Sequence, residues 1–420
     1  MRRKVSARLT LRKSWVRDFQ GVSRVLWLAA LVTCVVAVTQ LETGRATAQT
    51  QAPATKSAIR RTLPLTSFYD TPSPLPAGKP GELIRSKPFE EYALPSGVSA
   101  VRILYHSRSA TGEDVAASGV VLFPEEETPP AGGFPIIAWA HGSTGVARQC
   151  APSLMRNVYV GSFLSMFVEL GYAVVATDYT GLGTKFRNAF SDIQSNATDV
   201  IDSIPAARAA VPQLGRKWVA IGSSEGSMAV AGLAEMENEI RDANYLGGIA
   251  ISGVAEMKDL YEHFAQGPSH DMLVFLAYGI KTVYPQFQVR DMLTEKTLPL
   301  YQQAEEDCGS AGAGGEVSAT EMLKPNWEDD QYVKQYFARN TLGQKPAYGP
   351  LLVISGDADP ALPTSMTAPV IARMCKQGDR VQFETYPDPD PGHVTGNSVT
   401  AQIAWIRARF AGGLAPVNCH

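Results

Sequence analysis

Residues 218–230 read Trp-Val-Ala-Ile-Gly-Ser-Ser-Glu-Gly-Ser-Met-Ala-Val. The apolar run from Trp218 to Ile221 suits a buried strand, and the stretch from Ser227 to Ile240 suits a helix. Between them stands Gly222-Ser223-Ser224-Glu225-Gly226, a G-x-S-x-G pentapeptide. Between a strand and a helix this pattern predicts a sharp turn that lifts the Ser224 hydroxyl clear of a sheet. Glycines at 222 and 226 leave room where a Cβ would collide with neighbouring backbone. The helix that follows turns its free N–H groups and the positive end of its dipole toward any negative charge developing there. Ser223 fills the preceding position, and only Ser224 has the right offset from both glycines.

Outward from this turn, short Val/Ile/Leu-rich runs alternate with helical stretches. Strands are expected at 118–123, 134–140, 172–179, 217–222, 247–252, 349–356 and 381–387. Several are continuously apolar, as strands buried on both faces should be. Helices are expected at 197–211, despite Pro205, and from Ser227. Such alternation predicts an α/β fold with a mostly parallel central sheet covered on both faces. The rhythm breaks between 256 and 342, where aromatic and methionine side chains recur in helical stretches around an acidic segment and the Gly/Ala loop 309–318. That segment reads as a helical cap inserted between a first core part, 81–255, and a second, 343–420.

The candidate partners of Ser224 follow from chain order. After strand 349–356 come Asp357 and Asp359. An acid on the turn after a late strand can orient a histidine. Asp359 has the better offset from Gly356, whereas Asp357 suits a hydrogen bond to the turn backbone. His393 follows strand 381–387 in a Pro/Gly-rich loop. The order Ser224, Asp359, His393 is that of the α/β-hydrolase fold. Strand 134–140 runs into His141-Gly142-Ser143-Thr144-Gly145, a small-residue loop suited to an oxyanion hole. The Glu225 N–H would give one donor and the N–H of Gly142 or Ser143 a second, with Thr144 also open. His141 precedes the nucleophile and is expected to shape its loop by hydrogen bonding. This chemistry requires no cofactor, and no His/Cys spacing suits a metal.

The first 24 residues are Arg/Lys-rich, Val25–Gln40 is uncharged, and Ala46 and Ala48 form an A-x-A pattern. Residues 1–48 therefore read as a signal peptide cleaved near Ala48, with a retained anchor as the alternative. A secreted or periplasmic protein follows, with no stable membrane insertion once the signal is removed. Residues 49–80, rich in Pro, Thr, Ser and Ala, read as a flexible linker and surface arm. Removal of the signal leaves Cys150, Cys308, Cys375 and Cys419. An even number in an exported chain suggests two disulfides. Of the three pairings, Cys150–Cys308 would tie the core to the insertion and Cys375–Cys419 would staple the tail; these two are expected. A net charge of -3 gives no reason to expect a nucleic-acid partner. A monomer is expected.

The chain resembles the secretory lipase family of α/β-hydrolases. The segments that carry the resemblance are AWAHGSTGVARQCAPS at 138–153, TDYTGLGT at 177–184, DSIPAARAAVPQLGRKWVAIGSSEGS at 202–227, SGDADPALP at 355–363 and GHVTG at 392–396. It covers roughly residues 80–410. It implies an exported lipase or carboxylesterase with a helical cap and places the family triad on Ser224, Asp359 and His393. Many members carry His or Tyr before the nucleophile and Gln or Gly after it. Ser223 and Glu225 depart from that pattern, which bears on the acyl pocket and the pH response. A small-molecule or lipid ester is thus the expected substrate, with short-to-medium acyl chains. Alternatives are a long-chain triacylglycerol lipase, a serine peptidase or amidase sharing the triad, and a non-catalytic binding protein on the same scaffold. The presence of all three triad residues argues against the last.

Overall fold

A computed structural model describes residues 62–125, 128–267, 269, 271–308, 317–387 and 391–419, with residues 319 and 391–393 described by their backbone alone. The expected signal peptide, 1–48, and most of the expected arm lie outside the described residues.

One sheet organises the chain. Its strands are β1 (Leu83–Pro88), β2 (Val98–Arg108), β3 (Asp114–Pro124), β4 (Phe134–Ala140), β5 (Ala173–Thr177), β6 (Leu214–Ser223), β7 (Tyr245–Ile251), β8 (Leu351–Gly356) and β9 (Val381–Tyr386). Their order is β1-β2-β3-β5-β4-β6-β7-β8-β9. From β5 to β9 the neighbours are parallel, whereas β1, β2 and β3 pair antiparallel and β3 meets β5 antiparallel. The continuous apolar runs follow from burial on both faces. Ile136, Ala138 and Ala140 of β4 join one core, and Ile137 and Trp139 join the other, as a period of two requires.

The helices are α1 (Gly161–Glu169), α2 (Ile193–Ala210), α3 (Glu225–Ile240), α4 (Met257–Gln266), α5 (Met272–Val283), α6 (Val289–Met292), α7 (Leu298–Ala304), α8 (Ala319–Met322), α9 (Gln331–Arg339), α10 (Thr364–Gln377), α11 (Pro391–Asn397) and α12 (Val399–Phe410). α2 and α3 cover one face of the sheet, and α1 and α12 cover the other. The segment between β7 and β8 holds α4 to α9. Pro205 sits inside α2, as expected.

Two segments differ from the sequence expectation. The sequence does not mark β1, whose apolar pattern Arg85 and Lys87 interrupt, and it marks β2 only as an early strand carrying His106, since Arg102 and His106 break its apolar run. Arg102 is nonetheless buried. It donates to Tyr92 Oη at 2.8 Å and the Ser153 carbonyl at 2.9 Å, and its guanidinium stacks 3.4 Å from the Phe89 ring centroid. Pairing of this kind makes a buried charge tolerable. Residues 62–80, read as part of a surface arm, send Leu63, Phe68 and Tyr69 into the interior. The Tyr69 hydroxyl lies 2.8 Å from Ser153 Oγ.

Both disulfides form the expected pairs, Cys150–Cys308 and Cys375–Cys419. Among the described residues no helix is long and apolar enough to cross a membrane.

Asp199 and Asp202, one turn apart on α2, both face the Ser107 hydroxyl, at 2.5 and 3.2 Å. Burial pushes Asp199 up to about 6. Burial, followed by the charge of Asp199, pushes Asp202 up to about 7. An unfolded aspartate titrates near ~3.9. A folded pKa above the unfolded one gives stability that is full below about 4 and lost as pH rises through 6–7. Asp202→Asn should therefore raise Tm relative to wild type at pH 8, by about 2 °C or more. The gain should shrink at pH 5, as read by differential scanning calorimetry at both pH values.

Candidate active site

β4 and β6 lie side by side and parallel, with Ala140 opposite Gly222. The loop after β4 and the turn after β6 consequently leave the same edge of the sheet together, where open α/β sheets place their ligands. Ser224 adopts φ 56° and ψ -121° between β6 and α3. A left-handed backbone at a non-glycine residue costs roughly 1–3 kcal/mol and persists only where its surroundings enforce it. The enforcement is visible. The Ser224 N–H donates to the Ile251 carbonyl at 3.0 Å, and the Ser227 N–H donates to the Ser224 carbonyl at 2.9 Å. A Cβ on Gly222 would collide with the Gly226 carbonyl, and one on Gly226 would collide with the Ala140 carbonyl. The glycines thus allow the first turn of α3 to press against the end of β4.

The His141–Gly145 loop packs on this turn. A Cβ built on Gly142 would stand 3.2 Å from Ser224 Cβ and 3.8 Å from Ser224 Oγ. One built on Gly145 would stand 2.9 Å from Cys150 Sγ and 3.3 Å from Cys308 Cα. The loop is therefore held between the serine turn and a disulfide that reaches the inserted segment. His141 is buried beneath it, stacked 4.2 Å from the Tyr179 ring, with Nδ1 2.7 Å from the Gly142 carbonyl and Nε2 3.1 Å from the Asp178 carbonyl. Burial lowers its pKa to about 4. This neutral ring shapes the loop.

Ser224 opens into a cavity of about 240 Å³. Ser143, Tyr159, Phe190 and Ser191 come from the core, and Leu260, Tyr261, Phe264 and Met272 come from the inserted helices. Ala361 and Leu362 close it beside Asp359. Asp359 is buried, and its Oδ1 accepts the N–H of Ala361 at 2.8 Å and of Leu362 at 3.1 Å. Asp357, expected to bond the turn backbone through its side chain, is exposed and accepts the Thr364 hydroxyl at 3.1 Å. The backbone-bonding side chain is that of Asp359. His393 lies on α11 instead of in a loop, and its side chain is outside the described residues. Its neighbour Val394 is fully buried in the second core, which anchors that turn of helix. A second cavity of about 230 Å³ is lined by Thr180, Asn188 and Asp199, which bond one another. Ser224 does not reach it.

The sequence marks Glu225 as a backbone donor and as a departure from the family pattern, but not what its side chain holds. Its carboxylate is buried and accepts the Ser191 N–H at 2.9 Å, Asn196 Nδ2 at 3.0 Å and the Ser143 hydroxyl at 2.8 Å. Burial raises its pKa above the ordinary glutamate value. An acid at the head of an otherwise apolar stretch, Gly226 to Ala234 apart from Ser227, was the available signal. Among the described residues no cluster of His, Cys, Asp and Glu is suited to a metal ion.

The family model described as secretory lipase matches residues 159–417, well over half of the chain. The chain belongs to the secretory lipase family. Membership makes it an ester hydrolase, and with the two disulfides it points to an extracellular protein. No curated protein matches the chain. Among solved structures, the family member is similar to the rice cell wall degrading esterase LipA of Xanthomonas oryzae, with a TM-score of 0.64 and 18% identity over 79% of this chain and 98% of that one. It is likewise similar to Candida antarctica lipase A in its closed state, with a TM-score of 0.72 and 18% identity over 85% of this chain and 89% of that one. At such identity these likenesses establish the α/β-hydrolase fold of this secretory lipase-family chain.

Gly226→Ala tests the close approach of α3 to β4. The added methyl should displace the serine turn and lower activity by about 100-fold, as a displacement near 1 Å can. Steady-state kinetics on a soluble ester, alongside Tm, reads the loss.

Proposed function

We propose that this protein is an exported serine carboxylesterase acting through Ser224, His393 and Asp359, with short-to-medium acyl chains preferred. The observation that carries the proposal is Ser224 at φ 56°, opening into a cavity walled by the inserted helices. In this reading α4 and α5 belong to a cap over residues 256–342, which gives the acyl chain its apolar wall. About 240 Å³ is below the roughly 300–1,000 Å³ of sites that hold drug-sized ligands, which supports a confined acyl pocket.

His393 takes the Ser224 proton as Oγ attacks the ester carbonyl, and Asp359 holds the imidazole and stabilises its charged form. The N–H groups of Glu225 and of Gly142 or Ser143 receive the charge that develops on the carbonyl oxygen. His393 then protonates the leaving alcohol and activates the water that releases the acid. Asp359 suits its part because Oδ1 is fixed by two backbone N–H groups.

The test is kcat/KM on para-nitrophenyl esters of two to sixteen carbons, with Ser224→Ala as control. The expected maximum falls at two to eight carbons. Activity persisting at twelve to sixteen carbons and rising above substrate solubility would make the protein a long-chain lipase. Wild-type activity no higher than the Ser224→Ala control on every ester would overturn the proposal and bring peptide and amide substrates forward. Asp359→Asn should lower kcat by about 10⁴-fold through the wrong histidine tautomer, whereas Asp357→Asn should leave it within about twofold of wild type, since that side chain is solvent-exposed and away from the cavity.

A further inference from the structure

The two oxygens of Glu225 have different neighbours. Oε1 faces two N–H donors, the Ser191 amide and Asn196 Nδ2. Oε2 faces one hydroxyl, that of Ser143. A proton added to this carboxyl group therefore sits on Oε2, because Oε1 has no acceptor to give it to. With Glu225 ionised, the Ser143 hydroxyl donates to Oε2. With Glu225 protonated, Oε2 donates to Ser143 Oγ, and the serine hydrogen has to turn elsewhere. Ser143, Ser224 and Glu225 line the same cavity, so the space beside the released hydroxyl is the one into which Ser224 opens.

Resting on the serine-esterase reading above, we propose that the Ser143 hydroxyl is a side-chain donor to the developing oxyanion, and that the Glu225 carboxyl group is the positioning residue that captures or releases it. The groups around Glu225 leave it free to act in this way. Tyr179 after β5, Tyr261 of α4 and Tyr336 of α9 are phenols held neutral by burial, and Tyr159 from the segment before α1, though partly exposed, is likewise shifted upward. His141, beneath the loop, is neutral. Arg339 of α9 is paired with Asp192 at 2.6 Å, and Asp199 of α2 is bonded to Ser107 and Thr180. Among the described residues, no cation is paired with the Glu225 carboxylate.

The oxyanion exists only in the transition state, so the effect belongs in kcat. A glutamine side chain presents its carbonyl to the Ser191 and Asn196 donors and its NH₂ to Ser143 Oγ, and so imitates the protonated acid at every pH. The experiment is kcat between pH 5 and 8 for wild type, Glu225→Gln, Ser143→Ala and the double variant, with Ser224→Ala as control and Tm for each. The expected ratio of Glu225→Gln to wild type rises with pH from 5 to 8 and reaches about fivefold or more at pH 8, part of the 10²–10³-fold that one such donor contributes. Ser143→Ala should cost more at pH 5 than at pH 8. In the Ser143→Ala background the Glu225→Gln ratio should stay near one throughout.

A ratio independent of pH, or below one at every pH, would overturn the proposal and leave Glu225 a structural tie. An equal rise in the Ser143→Ala background would overturn it in favour of charge alone. Wild-type activity at the Ser224→Ala level would instead strike down the esterase reading beneath it.

Discussion

The first turn of α3 touches the last residue of β4 with no side chain between them, and the candidate site depends on that approach. It requires glycine at 226 and, for the chain to leave β6 beneath it, glycine at 222. It also brings Gly142 against Ser224. The nucleophile candidate and the loop beside it are thus placed by backbone on backbone, a contact with no rotamers to lose. The left-handed conformation of Ser224 follows from this geometry, and the hydrogen bonds to Ile251 and from Ser227 fix it in place.

Around this apolar-backed turn the protein buries several acids. Glu225, Asp199 and Asp202 all lie at or between α2, α3 and the strands. None has a cation as its first cause of stabilisation; each is held by hydroxyl or amide donors. Donors of that kind soften the desolvation of a carboxylate without cancelling it. The result is that all three are raised above the ordinary carboxylate range, Asp199 to about 6 and Asp202 to about 7.

The fold was legible because its signals were local. The strands around the Ser224 turn are apolar on both faces, and their continuous Val/Ile/Leu runs named them nearly to the residue. β1 and β2 were not so marked, since Arg102 is buried through partners, Tyr92 and Ser153, that are distant in sequence. Tyr69 was hidden in a Pro/Thr-rich stretch for the same reason: its anchor is Ser153. At the site, spacing singles out Ser224 and favours Asp359 over Asp357; the structure buries Asp359 and exposes Asp357. It could not reveal what Glu225 holds, because Ser143, Ser191 and Asn196 come from separate segments and meet only in three dimensions.

The Cys150–Cys308 bond closes a covalent ring with a sequence separation of 158 residues. That ring encloses Ser224 and the first inserted helices, but Asp359 and His393 lie beyond it. Closing a ring of this size removes about 5 kcal/mol of chain entropy from the unfolded state in the loop-closure treatment. It also divides the chain by its response to a cut. A single proteolytic nick inside the ring leaves both pieces tethered, with the loop beside Ser224 still clamped. A nick between Cys308 and β8 severs the covalent path from Ser224 to Asp359 and His393. For an enzyme outside the cell, damage tolerance is thereby concentrated on the half that carries Ser224.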